Sequence, residues 1–379
     1  MNKFPASIDV TVVGGAGHVG LPLSLSFADK GLNVLIYDIN EDVIETVKRG
    51  VLPAVEYDAQ PFLDRALQSK RLHFTSRAED IPATGAVILT IGTPVDEYLN
   101  PVHKVIKDCI DGILPQISDG QLLILRSTVF PGTTSWLQQY FQESGRNLLL
   151  AFCPERVVQG FAIRELHNMP QIVSGATPEA EEQAAKLFGL LTDEIVRVKP
   201  IEAEFAKLFN NAYRYIQFAA ANQFYMIANQ AGVNFHAIFD AMTHNYPRAK
   251  DLPRPGLSAG PCLFKDTMQL AAFASNQFSM GHAAMLVNEG MALYIIDQVS
   301  KRFDLGRSTV GLLGLAFKPE VDDTRASLAF KLKKMLRIKA RDVLATDPFI
   351  TDDPELLPAG ELVERSDILI VCTPHAAFR

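Results

Sequence analysis

Residues 8–31 read IDVTVVGGAGHVGLPLSLSFADKG. The apolar run 8–13 has the length and composition of a buried strand. It is followed at once by Gly15, Ala16, Gly17, His18, Val19 and Gly20, and then by an apolar-periodic segment that reads as a helix. The next apolar run, NVLIYDIN, is a second strand that ends at Asp38. A GxGxxG pattern alone says little. Between a strand and a helix, with an acid about 20 positions on at the next strand end, it points to a dinucleotide fold. Gly15 is expected to permit the tight turn, Gly17 to let the backbone approach a pyrophosphate, and Gly20 to let helix and strand pack closely. The helix N-terminus would then offer N–H groups to the phosphates. Asp38 can accept hydrogen bonds from the adenosine ribose hydroxyls and would repel a 2′-phosphate, so NAD is expected over NADP. The competing reading is a glycine-rich turn in an α/β domain that binds no nucleotide.

The chain has 379 residues, enough for two or three domains, and 48% of them are hydrophobic. Its net charge of −7 and lack of a dense Lys/Arg run argue against nucleic acid and membrane-surface partners. Cys109, Cys153, Cys262 and Cys372 are far apart and show no metal-ligand spacing. No metal is expected, and a reducing cytoplasm is the expected compartment. The N-terminal residues carry no signal-peptide pattern. The most apolar long stretch, 203–233, contains Lys207, Arg214 and several amides, too polar for a membrane span but suited to a long helix inside a protein.

Further strands are expected at 86–90 and 122–126, each followed by a small-residue loop. In an open parallel sheet ligands bind beyond such strand ends, which places Thr93, Ser127 and Thr128 near a nicotinamide or substrate; each could equally cap the helix that follows. The strand in LLLAFCPERVVQG ends at Glu155 and Arg156, which by themselves read as a solvated pair. A long helix is expected over 201–233. On it Lys207 and Asn211 share one otherwise apolar face, and a buried lysine is costly unless used or paired. The segment GPCLFKD (260–266) places Cys262 and Asp266 four apart. If a helix starts there, its dipole favours a thiolate at Cys262, while Gly260 allows close approach. The alternative is a cysteine that serves as a small buried hydrophobe. A second α/β unit begins near residue 308, with strands in TVGLLGLAF, DVLATDP and SDILIVCTP and a helix in ASLAFKLKKMLRI.

The order of GGAGHVGLPL, GTPVDE, STVFPGTT, CPERVVQG, AKLFNNAYR, GPCLFKD and GLAFKPEVDDTR resembles the UDP-glucose/GDP-mannose (nucleotide-sugar) dehydrogenase family over essentially the whole chain. The resemblance implies an α/β protein in three parts. These are an NAD-binding Rossmann domain over 1–200, a central helical dimerisation and catalytic domain over 201–302, and a C-terminal Rossmann-like nucleotide-sugar domain over 303–379. It implies a homodimer formed through the central helix. The implied reaction is NAD-dependent four-electron oxidation of a sugar C6 hydroxymethyl to a carboxylate.

By the same resemblance Cys262 is the nucleophile that carries a thiohemiacetal and then a thioester. Lys207 steadies the oxyanion with Asn211 as its companion. Asp266 holds or activates water, and Thr128 and Glu155 position water and substrate. Arg325, Phe317 and Lys318 lie in the segment that meets cofactor and nucleotide sugar, and Arg248 reaches substrate across the dimer. Leu257 and Ser258, in the run before Gly260, alter the wall of the sugar pocket. Arg156 and Val157 stand where glucuronate-forming members carry Phe-Leu, as in the N-acetylhexosamine branch, and YPR at 246–248 leans the same way. Gln159 replaces a common acid near the nicotinamide. The chain ends at Arg379, earlier than is usual in the family, so the C-terminal domain is expected to lack its final portion. The alternatives are a UDP-glucose 6-dehydrogenase, a two-electron hydroxyacid dehydrogenase, and a nucleotide-sugar-binding protein without turnover.

Overall fold

Successive residues of a strand face opposite sides of its sheet, and the first strands of this chain are apolar on both. In the computed structural model, which describes residues 7–96, 102–257 and 260–379, that pattern builds an eight-stranded sheet. Its strands are β1 (Val10–Val13), β2 (Val34–Tyr37), β3 (Leu72–Thr75), β4 (Ala86–Leu89), β5 (Leu122–Leu125), β6 (Leu149–Phe152), β7 (Gln171–Gly175) and β8 (Ile195–Arg197). They lie in the order β3-β2-β1-β4-β5-β6-β7-β8, and every pairing is parallel except β6 with β7. Val10, Val12, Ile88, Ile124 and Ala151 enter the core on one face. Val13, Val87, Leu89, Leu123, Leu125, Leu150 and Phe152 enter the core on the other. Each such valine, leucine, isoleucine or phenylalanine, fully buried, is worth roughly 1.5–3 kcal/mol. The strand order reverses between β1 and β4, which opens a crevice beyond their C-terminal ends, where open α/β sheets bind ligands.

By contacts the chain divides into two units, Met1–Leu208 and Phe209–Arg379, with the division inside the long helix Pro200–Gln230. The second unit contains a three-stranded parallel sheet of β9 (Thr309–Leu313), β10 (Asp342–Thr346) and β11 (Ile368–Val371), in the order β10-β9-β11. The helix Leu328–Lys339 is capped by Ser327, whose side chain accepts from the Ala329 N–H. A further helix of this unit, Ala359–Arg365, has no counterpart in the sequence reading. The long helix begins one residue earlier than expected and ends three earlier, at Gln230, followed by Gly232 in the left-handed region at φ 69°.

Candidate active site

In the first unit the glycine-rich turn follows β1 and enters the helix Gly20–Asp29 at Val19, a position with no side-chain cap. The left-handed residue of the turn is Gly14, at φ 75°. Gly15 is required for space instead, because a Cβ there would lie 2.6 Å from the Val12 carbonyl oxygen. At Gly20 the crowding is tighter, 2.3 Å from the Gly14 carbonyl oxygen. Gly17 is roomier: a Cβ there would lie 3.4 Å from the Gly14 carbonyl oxygen. Asp38 accepts from the Ala16 N–H at 3.2 Å and from the Asn40 N–H at 3.1 Å. It lines a cleft of about 240 Å³ together with Gly17, Leu21, Pro22, Leu25 and Val43, and no lysine or arginine is among the lining residues. A cleft lined mostly by apolar residues, with Asp38 and Glu56 as its carboxylates and no lysine or arginine, fits an adenosine with a bare 2′-hydroxyl. His18, on the turn itself, shares a hydrogen bond with Gln159 at 3.1 Å.

Beyond β4 and β5, Thr93 and Thr128 meet: the Thr93 hydroxyl donates to the Thr128 carbonyl at 2.6 Å. Ser127 donates to the Ile91 carbonyl at 2.5 Å. None of the three caps a helix. The following helices, His103–Ile113 and Thr133–Glu143, have Val102 and Gly132 as N-caps, and the second is closed by Glu204, which accepts from the Gly132 N–H at 2.6 Å and the Thr134 N–H at 2.8 Å. Glu204 had no assignment in the sequence reading. Its signal was the one that singled out Lys207, a charge on an apolar helix face.

Glu155 and Arg156 are not a solvated pair. Glu155 is buried, and Arg126, fully enclosed, donates to its Oε2 from Nε at 3.0 Å and from Nη2 at 2.6 Å. The Glu155 Oε1 accepts from the backbone N–H groups of Arg156 and Val157 at 2.7 and 2.9 Å. Arg126 also donates to the Cys153 carbonyl and to Gln171, and its guanidinium stacks on Phe188. The Arg156 guanidinium donates to the Pro170 carbonyl; burial, first, and the nearby Arg126 charge lower its pKa. Lys207, expected to be buried, is half-exposed, and among the described residues its ammonium has no hydrogen bond or ion pair.

In the second unit Cys262 is the N-cap of the helix Leu263–Phe273 and is exposed, which overturns the buried-hydrophobe alternative. Burial pushes the Cys109 thiol up to about 11 and those of Cys153 and Cys372 up to about 12. The Asp266 N–H bonds back to the Cys262 carbonyl at 2.9 Å, which closes the first turn. Asp266 is wholly buried; its Oδ2 accepts from Asn211 at 2.6 Å. Its Oδ1 lies 3.3 Å from the Lys265 ammonium, as an ion pair without hydrogen-bond geometry. Gly260, at φ 113°, is pressed on the Phe317 ring, where a Cβ would lie 2.8 Å from a ring carbon. Lys318 lies over the same ring. Arg325 is held by Asp323 at 2.7 Å; that hydrogen-bonded pair raises the guanidinium pKa, and the charge of Cys262 adds to the rise. Leu257 packs on the core of β9–β11. Arg248 is exposed, with its guanidinium over Tyr246. Ser258 and Glu97 of the GTPVDE motif lie outside the described residues.

Models of the NAD-binding, central and UDP-binding domains of the UDP-glucose/GDP-mannose dehydrogenase family match residues 8–191, 201–290 and 311–379. A UDP-N-acetyl-D-mannosamine dehydrogenase from Pyrococcus horikoshii is 30% identical over 378 residues, which cover 96% of this chain and 89% of that protein. A solved UDP-D-ManNAc dehydrogenase from Pyrococcus horikoshii superposes with a TM-score of 0.90 at 28% identity, over 98% of this chain and 90% of that one. A UDP-glucose dehydrogenase from Pyrobaculum islandicum superposes with 0.89 at 25% identity, over 99% and 92%. The chain belongs to the UDP-glucose/GDP-mannose dehydrogenase family. It is an NAD-dependent enzyme that oxidises a nucleotide sugar to the uronate. Two structures with different sugars in their names fit almost equally well, so the fold does not select the sugar. No described helix is long and apolar enough to cross a membrane.

Proposed function

We propose that this enzyme is a UDP-N-acetylhexosamine 6-dehydrogenase that works through a covalent intermediate on Cys262. The observation that carries the covalent step is the contrast among the cysteines: Cys153 is buried and Cys109 and Cys372 are partly buried, all three with raised thiol pKa values, while Cys262 stands exposed at a helix N-terminus with Arg325 in electrostatic range. Support for the sugar comes from Arg156 and Val157 and from the named Pyrococcus relative.

NAD would be held by the turn 15–20, Asp38, Thr93 and Ser127, and would supply the hydride acceptor for both oxidations. When the C6 alcohol has become an aldehyde, the Cys262 thiolate adds to its carbon and the oxygen takes up a proton as a thiohemiacetal. Loss of hydride and of that proton leaves a thioester. Water then breaks the C–S bond, which releases the carboxylate and restores the thiol. A thiolate suits both tasks, since it adds readily to an aldehyde and leaves readily from an acyl group. Lys207 would face the developing oxyanion with Asn211 beside it. Asp266, anchored by Asn211, would hold the hydrolytic water. Thr128 would position water and substrate, and Glu155 would shape the loop that carries Arg156 and Val157. Lys318, Arg325 and Phe317 would meet the nucleotide sugar, with Leu257, Ser258 and Gly260 as the pocket wall.

The working division of the chain is 1–200, 201–302 and 303–379. Exposed Tyr213, Phe224 and Ile227 on the long helix support a homodimer, with Arg248 reaching the neighbouring site. The composition supports a cytoplasmic enzyme.

The test counts NADH per sugar consumed: two for the full oxidation, one for a two-electron dehydrogenase, none for a binding protein. A folded Cys262→Ala protein should make almost no uronate. Cys262→Ser should retain a sugar adduct on the peptide carrying the new serine, because an oxygen ester hydrolyses more slowly. Near-normal uronate from Cys262→Ala removes the covalent mechanism. A higher kcat/KM for UDP-glucose than for UDP-N-acetylhexosamines reverses the assignment of the sugar.

A further inference from the structure

Between the helices Pro200–Gln230 and Ser279–Ser300 lie two asparagines, Asn222 and Asn288, each with none of its surface exposed. Burying two amides is costly unless each is hydrogen-bonded. Here they form one chain of bonds. The Gly256 N–H donates to the Asn222 Oδ1 at 2.8 Å, the Asn222 Nδ2 donates to the Asn288 Oδ1 at 2.9 Å, and the Asn288 Nδ2 donates to the Tyr215 carbonyl at 3.0 Å. The direction is fixed at both ends, because a backbone N–H can only donate and a carbonyl can only accept. Neither amide can therefore flip without placing like groups against each other.

The position of this relay is its significance. Gly256 starts the run that ends at Gly260 and Cys262. The far end of that run is held separately, by Gly260 against the Phe317 ring and by the Gly260 N–H on the Ala326 carbonyl. The helix after Cys262 packs through Leu263 and Phe264 into a cluster with Tyr215, Ala219 and Ala284, from the same two long helices that carry the asparagines. A single helix pair thus supports the nucleophile's helix by apolar contact and the approach to it by hydrogen bonds.

We propose that Asn222, oriented by Asn288, is a positioning residue: it anchors the substrate-side run at Gly256 and thereby sets the sugar-pocket wall and the placement of Cys262. This rests on the reading of Cys262 as the nucleophile. A filler role for the two amides would need no contact with the run that leads to the cysteine, and would be met equally well by apolar residues of similar size.

Hydrogen–deuterium exchange, enzyme kinetics and alkylation of Cys262 by iodoacetamide test it on the full chain. In the wild type, the amide of Gly256 should exchange slowly; rapid exchange there overturns the proposal without any variant. Asn222→Ala should speed exchange in the peptide spanning 256–262 while the peptides of β1–β5 stay protected. It should lower kcat/KM for the nucleotide sugar about tenfold or more, the usual scale for unpaired buried groups, chiefly through KM, and should leave NAD binding unchanged. It should also change the alkylation rate of Cys262. Asn288→Ala, which keeps the Asn222–Gly256 bond but removes its orientation, should give the same pattern more weakly, and it substitutes if Asn222→Ala does not fold. A variant that melts earlier yet keeps kcat, KM and exchange at 256–262 shows a purely structural role and refutes the proposal. Cys262→Ala, assayed in parallel, separates the two readings. Uronate from that variant sinks the nucleophile assignment, whereas wild-type kinetics in Asn222→Ala with an inactive Cys262→Ala sinks only the anchor.

Discussion

Asp38 and Asp347 hold equivalent places in two α/β units and are used in opposite ways. Each follows the second strand of a parallel pair, β2 beside β1 and β10 beside β9, and each accepts from backbone N–H groups of the loop after the first strand. Asp38 takes one such bond, remains partly open and lines a cleft. Asp347 is buried and saturated: Leu315 and Ala316 donate to it at 2.7 and 3.0 Å, Phe349 at 2.9 Å, and His375 Nε2 lies 3.2 Å away. The His375 Nδ1 accepts from the Glu320 N–H, so the neutral imidazole presents its Nε2–H to Asp347. In the first unit the loop amides and the acid are left for a ligand. In the second the acid has taken the Leu315 and Ala316 amides, which are therefore closed to a ligand. The difference shows why a strand-end aspartate marks a nucleotide site only when a glycine-rich loop leaves room beside it.

The largest break in this symmetry should appear in stability. Asp347→Ala strands two buried loop N–H groups and the His375 donor, and should cost on the order of 2–3 kcal/mol or more. Asp38→Ala frees groups that water can reach and should change stability by less than about 1 kcal/mol. Urea unfolding of both variants, followed by far-UV circular dichroism, compares them; equal losses would mean that the two acids do the same job. Binding should invert the order. Asp38→Ala should weaken NAD by about 1–3 kcal/mol, the scale of hydrogen bonds to a charged group, while Asp347→Ala, where folded, should leave NAD affinity unchanged by calorimetry. The same carboxylate should make the wild type prefer NAD strongly over NADP, and equal rates with both would show that Asp38 does not face the ribose.

The Asp38 half of this comparison was legible in the sequence because glycine and strand periodicity are local signals. So were β4 and β5, each a run of apolar residues before a small-residue loop, and β6, an apolar run that leads into Cys153 and Pro154. The strands β3, β7 and β8 were not. Leu72–Thr75 includes His73, and Ile195–Arg197 has one half-buried and two exposed residues, so neither shows the pattern of a buried strand. At the site, the residue types of Cys262, Asp266 and Asn211 stood out through helical spacing and motif order. Their partners did not, because pairing across the fold leaves no local mark. Arg126 read only as the end of a strand, and nothing near it announced Glu155, 29 positions on. The solvated Glu155–Arg156 pair was the natural error of reading neighbours in sequence as neighbours in space. Asn222 and Asn288 were hidden for the same reason, since an asparagine on a helix is unremarkable until its partner is known.

The smallest effect concerns acid. Burial pushes the Asp347 carboxyl pKa up, but the hydrogen bonds from His375 and from the Ala316, Phe349 and Leu315 N–H groups together outweigh it, and the net shift is down from 3.8. A folded-state pKa below the unfolded one adds stability that is fully present above the unfolded pKa and is lost as pH falls through the folded pKa. The contribution should therefore be flat from pH 7 to about pH 5, decline below about pH 4, and disappear only under stronger acid. Asp347→Asn keeps an acceptor for the loop amides but cannot titrate. The stability gap between wild type and Asp347→Asn should be constant near neutrality and should narrow below pH 4. Urea midpoints measured at intervals from pH 7 to pH 3.5 check this. A gap that stays constant to the acid end would mean that Asp347 keeps its proton balance on folding, and that its four partners hold it by geometry without favouring its charge.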